Sequence, residues 1–145
     1  MIKLSDDVKK LVNNALADNV PCLLGTVTAD GQPQVGPKGS VVFFDDGTLA
    51  YWERARRSAL SNVGANPNVV IYYRNPGKAD LLPRGAALRF HGTATVYESG
   101  PMREKIKSMI VPIEIERDPE NKGAGVLVKL DKVTDLQGTV IAKAD

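Results

Sequence analysis

The chain has 145 residues, 43% hydrophobic and 25% charged, the size and balance of one globular domain with its own core. Its 19 basic and 17 acidic side chains leave a net charge of +2, too even for a dedicated nucleic-acid binder. A single cysteine, Cys22, excludes an internal disulfide and suits a reducing compartment. No apolar run follows a basic start, so no leader is expected, and no run reaches membrane-spanning length. The expectation is one cytoplasmic domain over residues 1–145.

In chain order, Ser5, Asp6 and Asp7 precede Val8, Leu11, Val12, Ala15 and Leu16. That spacing predicts an amphipathic helix over residues 8–16, capped by a serine and with acids at the positive end of its dipole. Residues 22–28 form a short apolar run closed by the turn Ala29-Asp30-Gly31. Residues 34–44 read as a second strand interrupted by Gly36-Pro37, hence bulged or at an edge, because proline donates nothing to a ladder. Asp45-Asp46-Gly47 turns it into a third strand over residues 48–52.

Arg54, Arg56 and Arg57 then lead into Ser58, which caps a two-turn helix with Leu60 and Val63 on its inner side, ending at Asn66-Pro67. A fourth strand follows over residues 69–74, then a loop to about residue 84. Leu88, Phe90, Gly92, Ala94 and Val96 next alternate with Arg89, His91, Thr93, Thr95 and Tyr97, the clearest strand in the sequence. Ser99-Gly100-Pro101 opens another helix with Met102, Ile106, Met109 and Ile110 on one side. Residues 112–125 read as acidic and irregular, a mobile solvated lid, and residues 126–130 and 139–143 as closing strands. Six or seven hairpin-connected strands with short helices predict a mainly β fold, a small antiparallel barrel that removes its edges by closing on itself. Such a barrel is filled by its own side chains, so a sizeable ligand belongs on its outer wall or between two chains.

One constellation could carry chemistry. Arg56, Arg57 and Ser58, with the unpaired N–H groups of a helix's first turn, offer a phosphate cradle. Tyr51 or Trp52 could wall a planar ring. Lys38, Gly39, Ser40 and Val41 offer backbone hydrogen bonds at a bulged strand, a position without a side chain, and a cation for an electron-accepting ring. The single histidine, His91, excludes a two-histidine metal site and lies on the polar face of its strand. Cys22 reads as a small buried residue, and no side chain stands out as an obligatory acid or base.

The order of helix, strand, Asp30-Gly31-Gln32-Pro33, interrupted strand, Asp46-Gly47 hairpin, basic turn and Asn62-Val63-x-x-Asn66-Pro67-x-Val69 resembles the FMN-binding split barrels related to pyridoxamine 5'-phosphate oxidase. The Arg89-x-x-Gly92-Thr93-Ala94 strand is similar too. The resemblance implies a homodimer with two FMN sites at the subunit interface. The ring would contact residues 38–41, Tyr51 and Trp52 would flank it, and residues 56–58 would hold the phosphate. Counted back from Asn66-Pro67, the family's serine-arginine-lysine grip falls on Arg57, Ser58 and Ala59, without the lysine. A glutamine that reaches the flavin in the oxidase falls near Ala87, and the C-terminal arginine and histidine motif is absent. The implied function is therefore a flavin-dependent reductase or oxidase of a small molecule other than pyridoxamine phosphate. The alternatives are a non-catalytic FMN store or redox sensor, a reductase using the deazaflavin F420, and haem-linked chemistry. A nucleic-acid-binding barrel ranks last, given 6% aromatics and near-neutral charge.

Overall fold

The computed structural model describes residues 2–54 and 58–145. Helix α1 (Asp6–Asn13) starts where Val8 N–H donates to the Ser5 hydroxyl at 3.2 Å and buries Val8, Leu11 and Val12. It ends earlier than expected. The chain unwinds through turns to Asn19, which takes a left-handed φ of 60°, tolerable for an asparagine. Strands β1 (Cys22–Val27) and β2 (Pro33–Lys38) form a hairpin, β3 (Val42–Asp45) and β4 (Thr48–Glu53) a second. Helix α2 (Ser58–Ala65) precedes β5 (Asn68–Arg74) and β6 (Ala87–Tyr97), which flank a 3₁₀ helix, Pro76–Leu81, inside the predicted loop. Helices α3 (Pro101–Met109) and α4 (Pro112–Glu116) lead to β7 (Ala124–Thr134) and β8 (Val140–Lys143).

The described strands number eight, one more than the sequence suggests, because the run over residues 34–44 is two strands. The sheet order is β2-β1-β5-β6-β7-β4-β3, with β8 beside the far half of β7, and every pairing is antiparallel. Consecutive strands β2 and β3 thus stand at opposite ends of the order, and residues 39–41 close the sheet on itself. Pro37 lies opposite Leu23 in an edge strand, where its missing N–H costs no ladder bond. The interruption the sequence places at Gly36-Pro37 falls instead at residues 39–41. There the Ser40 hydroxyl accepts from Trp52 N–H at 2.9 Å and donates to Trp52 C=O at 3.1 Å.

The barrel interior holds Leu49, Tyr51, Ile71, Tyr73, Phe90 and Val128, and α1 packs into the same core. Phe43 meets Phe90 edge-on at 5.8 Å. Alternation along β4 sends Ala50 and Trp52 to the outer face, under Ile106 and Ile110 of the α3 segment. Strand β6 keeps its predicted two faces, Leu88, Phe90 and Ala94 buried and Thr93 and Thr95 exposed. At Gly92 a Cβ would stand 2.5 Å from Lys129 O, so β6 and β7 require a glycine at their bulge. The acidic stretch is not a solvated lid: α4 forms within it and Glu114 is buried. Its carboxylate is drawn in by Arg54 at 3.8 Å and Arg117 at 3.6 Å. No helix among the described residues is long and apolar enough to cross a membrane.

Candidate flavin site

The sequence marks residues 38–41, 51–52 and 56–58, and the closure of the barrel brings the first two groups together. Lys38 ends β2 and Glu53 ends β4. The Lys38 ammonium donates to both Glu53 carboxylate oxygens, at 2.9 and 2.8 Å, and stands 5.5 Å from the centre of the Tyr51 ring. This pair is largely buried, its side chains 15% and 7% exposed. Arg56 and Arg57 lie outside the described residues, as does the side chain of Ser58. Ala59, in the first turn of α2, lines a cavity of about 130 Å³ together with Thr26, Gln34, Gly36 and Lys38. Gly36 has open space where a Cβ would stand. One wall is fixed by Asn62 of α2, whose amide donates to Gln34 Oε1 at 2.7 Å and to Thr26 Oγ1 at 3.2 Å.

Through Thr26, Gln34 and Val35 this cavity adjoins an apolar groove of about 570 Å³ on the outer face of β1 and β5, bordered by Val27, Val70, Tyr72 and His91. Val35 is 73% exposed at its rim. His91 is half-buried there. Burial, then the positive charges of Lys132 and Arg89, lower its pKa against a weaker opposing pull from Asp131, so it is neutral at pH 7.

The side chains of Val41, Tyr51 and Trp52 are packed within the protomer, at 5%, 1% and 2% exposure. An aromatic wall from Tyr51 or Trp52 is therefore not open to a ligand at the protomer's surface, and the backbone of β4 there is taken by Ser40 at Trp52 and by β7 along the other edge. Burial raises the Tyr51 hydroxyl's pKa and pushes the Cys22 thiol up to about 12, which leaves Cys22 an inert core residue. Trp52 carries the Arg103 guanidinium over its ring at 4.8 Å and donates from Nε1 to Asp118 at 3.0 Å. At Gly39 the space of a Cβ belongs to Glu114, whose Oε1 would be 2.3 Å away. The glycine there admits a carboxylate of the chain's own.

Glu53, Gln34, Thr26 and Asn62 were not singled out by sequence reasoning as site residues. Asn62 was within reach, since it opens the Asn-Val-x-x-Asn-Pro element. Glu53 has no local signal, because its partner lies on another strand.

A sheet closed through residues 39–41, with a small cavity of mixed lining at a helix's first turn opening onto an apolar groove, defines the split-barrel class. Within that class the sequence profile of pyridoxamine 5'-phosphate oxidase matches residues 8–131, and the chain belongs to this family. No curated protein matches significantly. Among solved structures, HupZ of group A Streptococcus superposes with a TM-score of 0.72 at 27% identity, covering 98% of this chain and 99% of that one. A candidate pyridoxamine 5'-phosphate oxidase from Lactobacillus delbrueckii gives 0.68 at 26% identity, covering 93% and 96%. An FMN-binding protein from Syntrophomonas wolfei gives 0.66 at 11% identity, covering 96% and 89%, a likeness of fold alone.

Proposed function

We propose that the protein binds FMN and acts as a flavin-dependent reductase or oxidase of a small molecule. The observation that carries this reading is the cavity between β2 and the first turn of α2, continuous with the apolar groove. A phosphate suits the N–H groups of that turn and the arginines of the preceding segment. Residues 38–41 border the ring, and Gly36 leaves the room. A bound flavin would supply the two-electron chemistry, while the chain binds it, orients it and excludes water. The groove with exposed Val35 is apolar surface that calls for a cover, and a second copy of the chain provides it in this reading, giving a homodimer with sites at its interface.

Titration of the purified protein with FMN, followed by visible absorbance, tests the reading, and light scattering on the same sample reads the dimer. Micromolar uptake is expected. Arg56→Ala combined with Arg57→Ala should weaken it at least tenfold, since charged hydrogen bonds contribute about 1.5–3 kcal/mol each. Uptake of F420 in place of FMN would keep the fold and change the cofactor. A second reading, an FMN store or redox sensor without turnover, is favoured by how the polar lining is spent. Asn62 donates to both Thr26 and Gln34, and Lys38 donates to Glu53, which suits holding a ligand more than moving a proton. Reduction by NADH or NADPH followed by rapid reoxidation separates enzyme from store.

A further inference from the structure

We propose that Glu53 is a positioning residue that holds the Lys38 ammonium beside the cavity and cancels its charge there, thereby setting the reduction potential of the flavin; this rests on the flavin reading above. An unpaired lysine next to the ring would favour the more negative, reduced form and raise the potential. In this chain both Glu53 oxygens are within 2.9 Å of the ammonium, and the low local dielectric makes the cancellation strong. The pair joins the last residues of β2 and β4, on either side of the 39–41 closure, so its geometry is fixed by the fold. Lys38 also lines the cavity that reaches Ala59. The charge seen by a ligand there is that of a neutral pair.

The test is the potential of bound FMN, measured by equilibration with a reference dye in wild type, Glu53→Gln and the double variant Lys38→Gln with Glu53→Gln. Glu53→Gln frees the ammonium and should shift the oxidised-to-reduced ratio at fixed poise at least tenfold toward reduced, about 30 mV for a two-electron couple. The double variant, neutral like the native pair, should titrate with the wild type. Equal potentials in wild type and Glu53→Gln, both loaded, would overturn the proposal. So would a double variant that keeps the Glu53→Gln shift, or one that falls below the wild type because Lys38 had been acting as a free cation. The last comparison stands even if the single variant does not fold. Failure of wild type to take up any flavin would instead remove the flavin reading itself, and this inference with it.

Discussion

Lys38 and Arg103 approach β4 from opposite faces, both largely buried, and they are satisfied in different ways. Lys38 meets one carboxylate, on the barrel side near Tyr51, at the rim of a cavity. Arg103 lies over the outward ring of Trp52, donates from Nε to Gly123 O at 3.1 Å, and from Nη2 to Asn121 O and Oδ1 at 2.9 and 3.0 Å. Asp118 completes that cluster by accepting from Trp52 Nε1, Gly123 N–H and Lys122 N–H. A planar fork spread over several fixed acceptors locks a loop onto a strand. A point charge held by one counter-ion beside open space is the arrangement that can be retuned. The first cluster is architecture, and the second belongs to the site.

Breaking the architectural side should be costly. Arg103→Met keeps much of the stem's packing and loses the fork, so about 2–4 kcal/mol of stability should disappear in urea denaturation, with no change in flavin potential. Substituting one glycine on each side sharpens the contrast. A Cβ at Gly123 would sit 2.2 Å from Trp52 Nε1 and 2.8 Å from Asp118 Oδ2. Gly123→Ala should cost about 1–3 kcal/mol, because a ring and a bonded carboxylate must both shift. At Gly39 the clash is with the far end of Glu114, which can swing, and with Leu16 at 3.1 Å. Gly39→Ala should cost less than about 1 kcal/mol, and thermal melts of the two variants compare them directly.

The smallest effect is confined to acid. Burial works to raise the Asp118 carboxyl, but hydrogen bonds from Trp52, Gly123 and Lys122, helped by Arg103, outweigh it and hold the group below its ordinary value. A depressed carboxylate stabilises the fold above its unfolded value and loses that contribution as pH falls through the folded one. The stability gap between wild type and Asp118→Asn should therefore narrow only below about pH 4, as denaturant midpoints across pH 2–7 would show.

The local features of this fold were legible in the sequence. The Ser5 cap, the Asp46-Gly47 hairpin, the two faces of β6 and the Ser58 helix each depend on near neighbours. The family pattern also located the strand β2 and the helix α2 that border the cavity. What escaped was long-range. Residues 34–44 look continuous, yet the sheet divides them between its two ends, a property of closure and not of that segment. Lys38 and Glu53 meet only once β2 and β4 are both placed. Glu114 reads as a solvated acid until Arg54, Arg117 and the bare Gly39 surround it. Trp52 reads as a wall for a ring, yet the α3 segment covering β4 buries it within the protomer.

The strand order also bears on how the chain is made. The β1–β2 and β3–β4 hairpins are joined through residues 39–41, and both are complete by Glu53. The remaining edge of β1 waits for β5, and that of β4 for β7, which forms only at residues 124–134. A nascent chain carrying the first half alone would leave these two edges, which the finished sheet covers, unpaired in addition to the outer edges of β2 and β3, the hazard that invites edge-to-edge association. Folding yield at high expression should thus depend on how promptly the last long strand emerges and fills that gap.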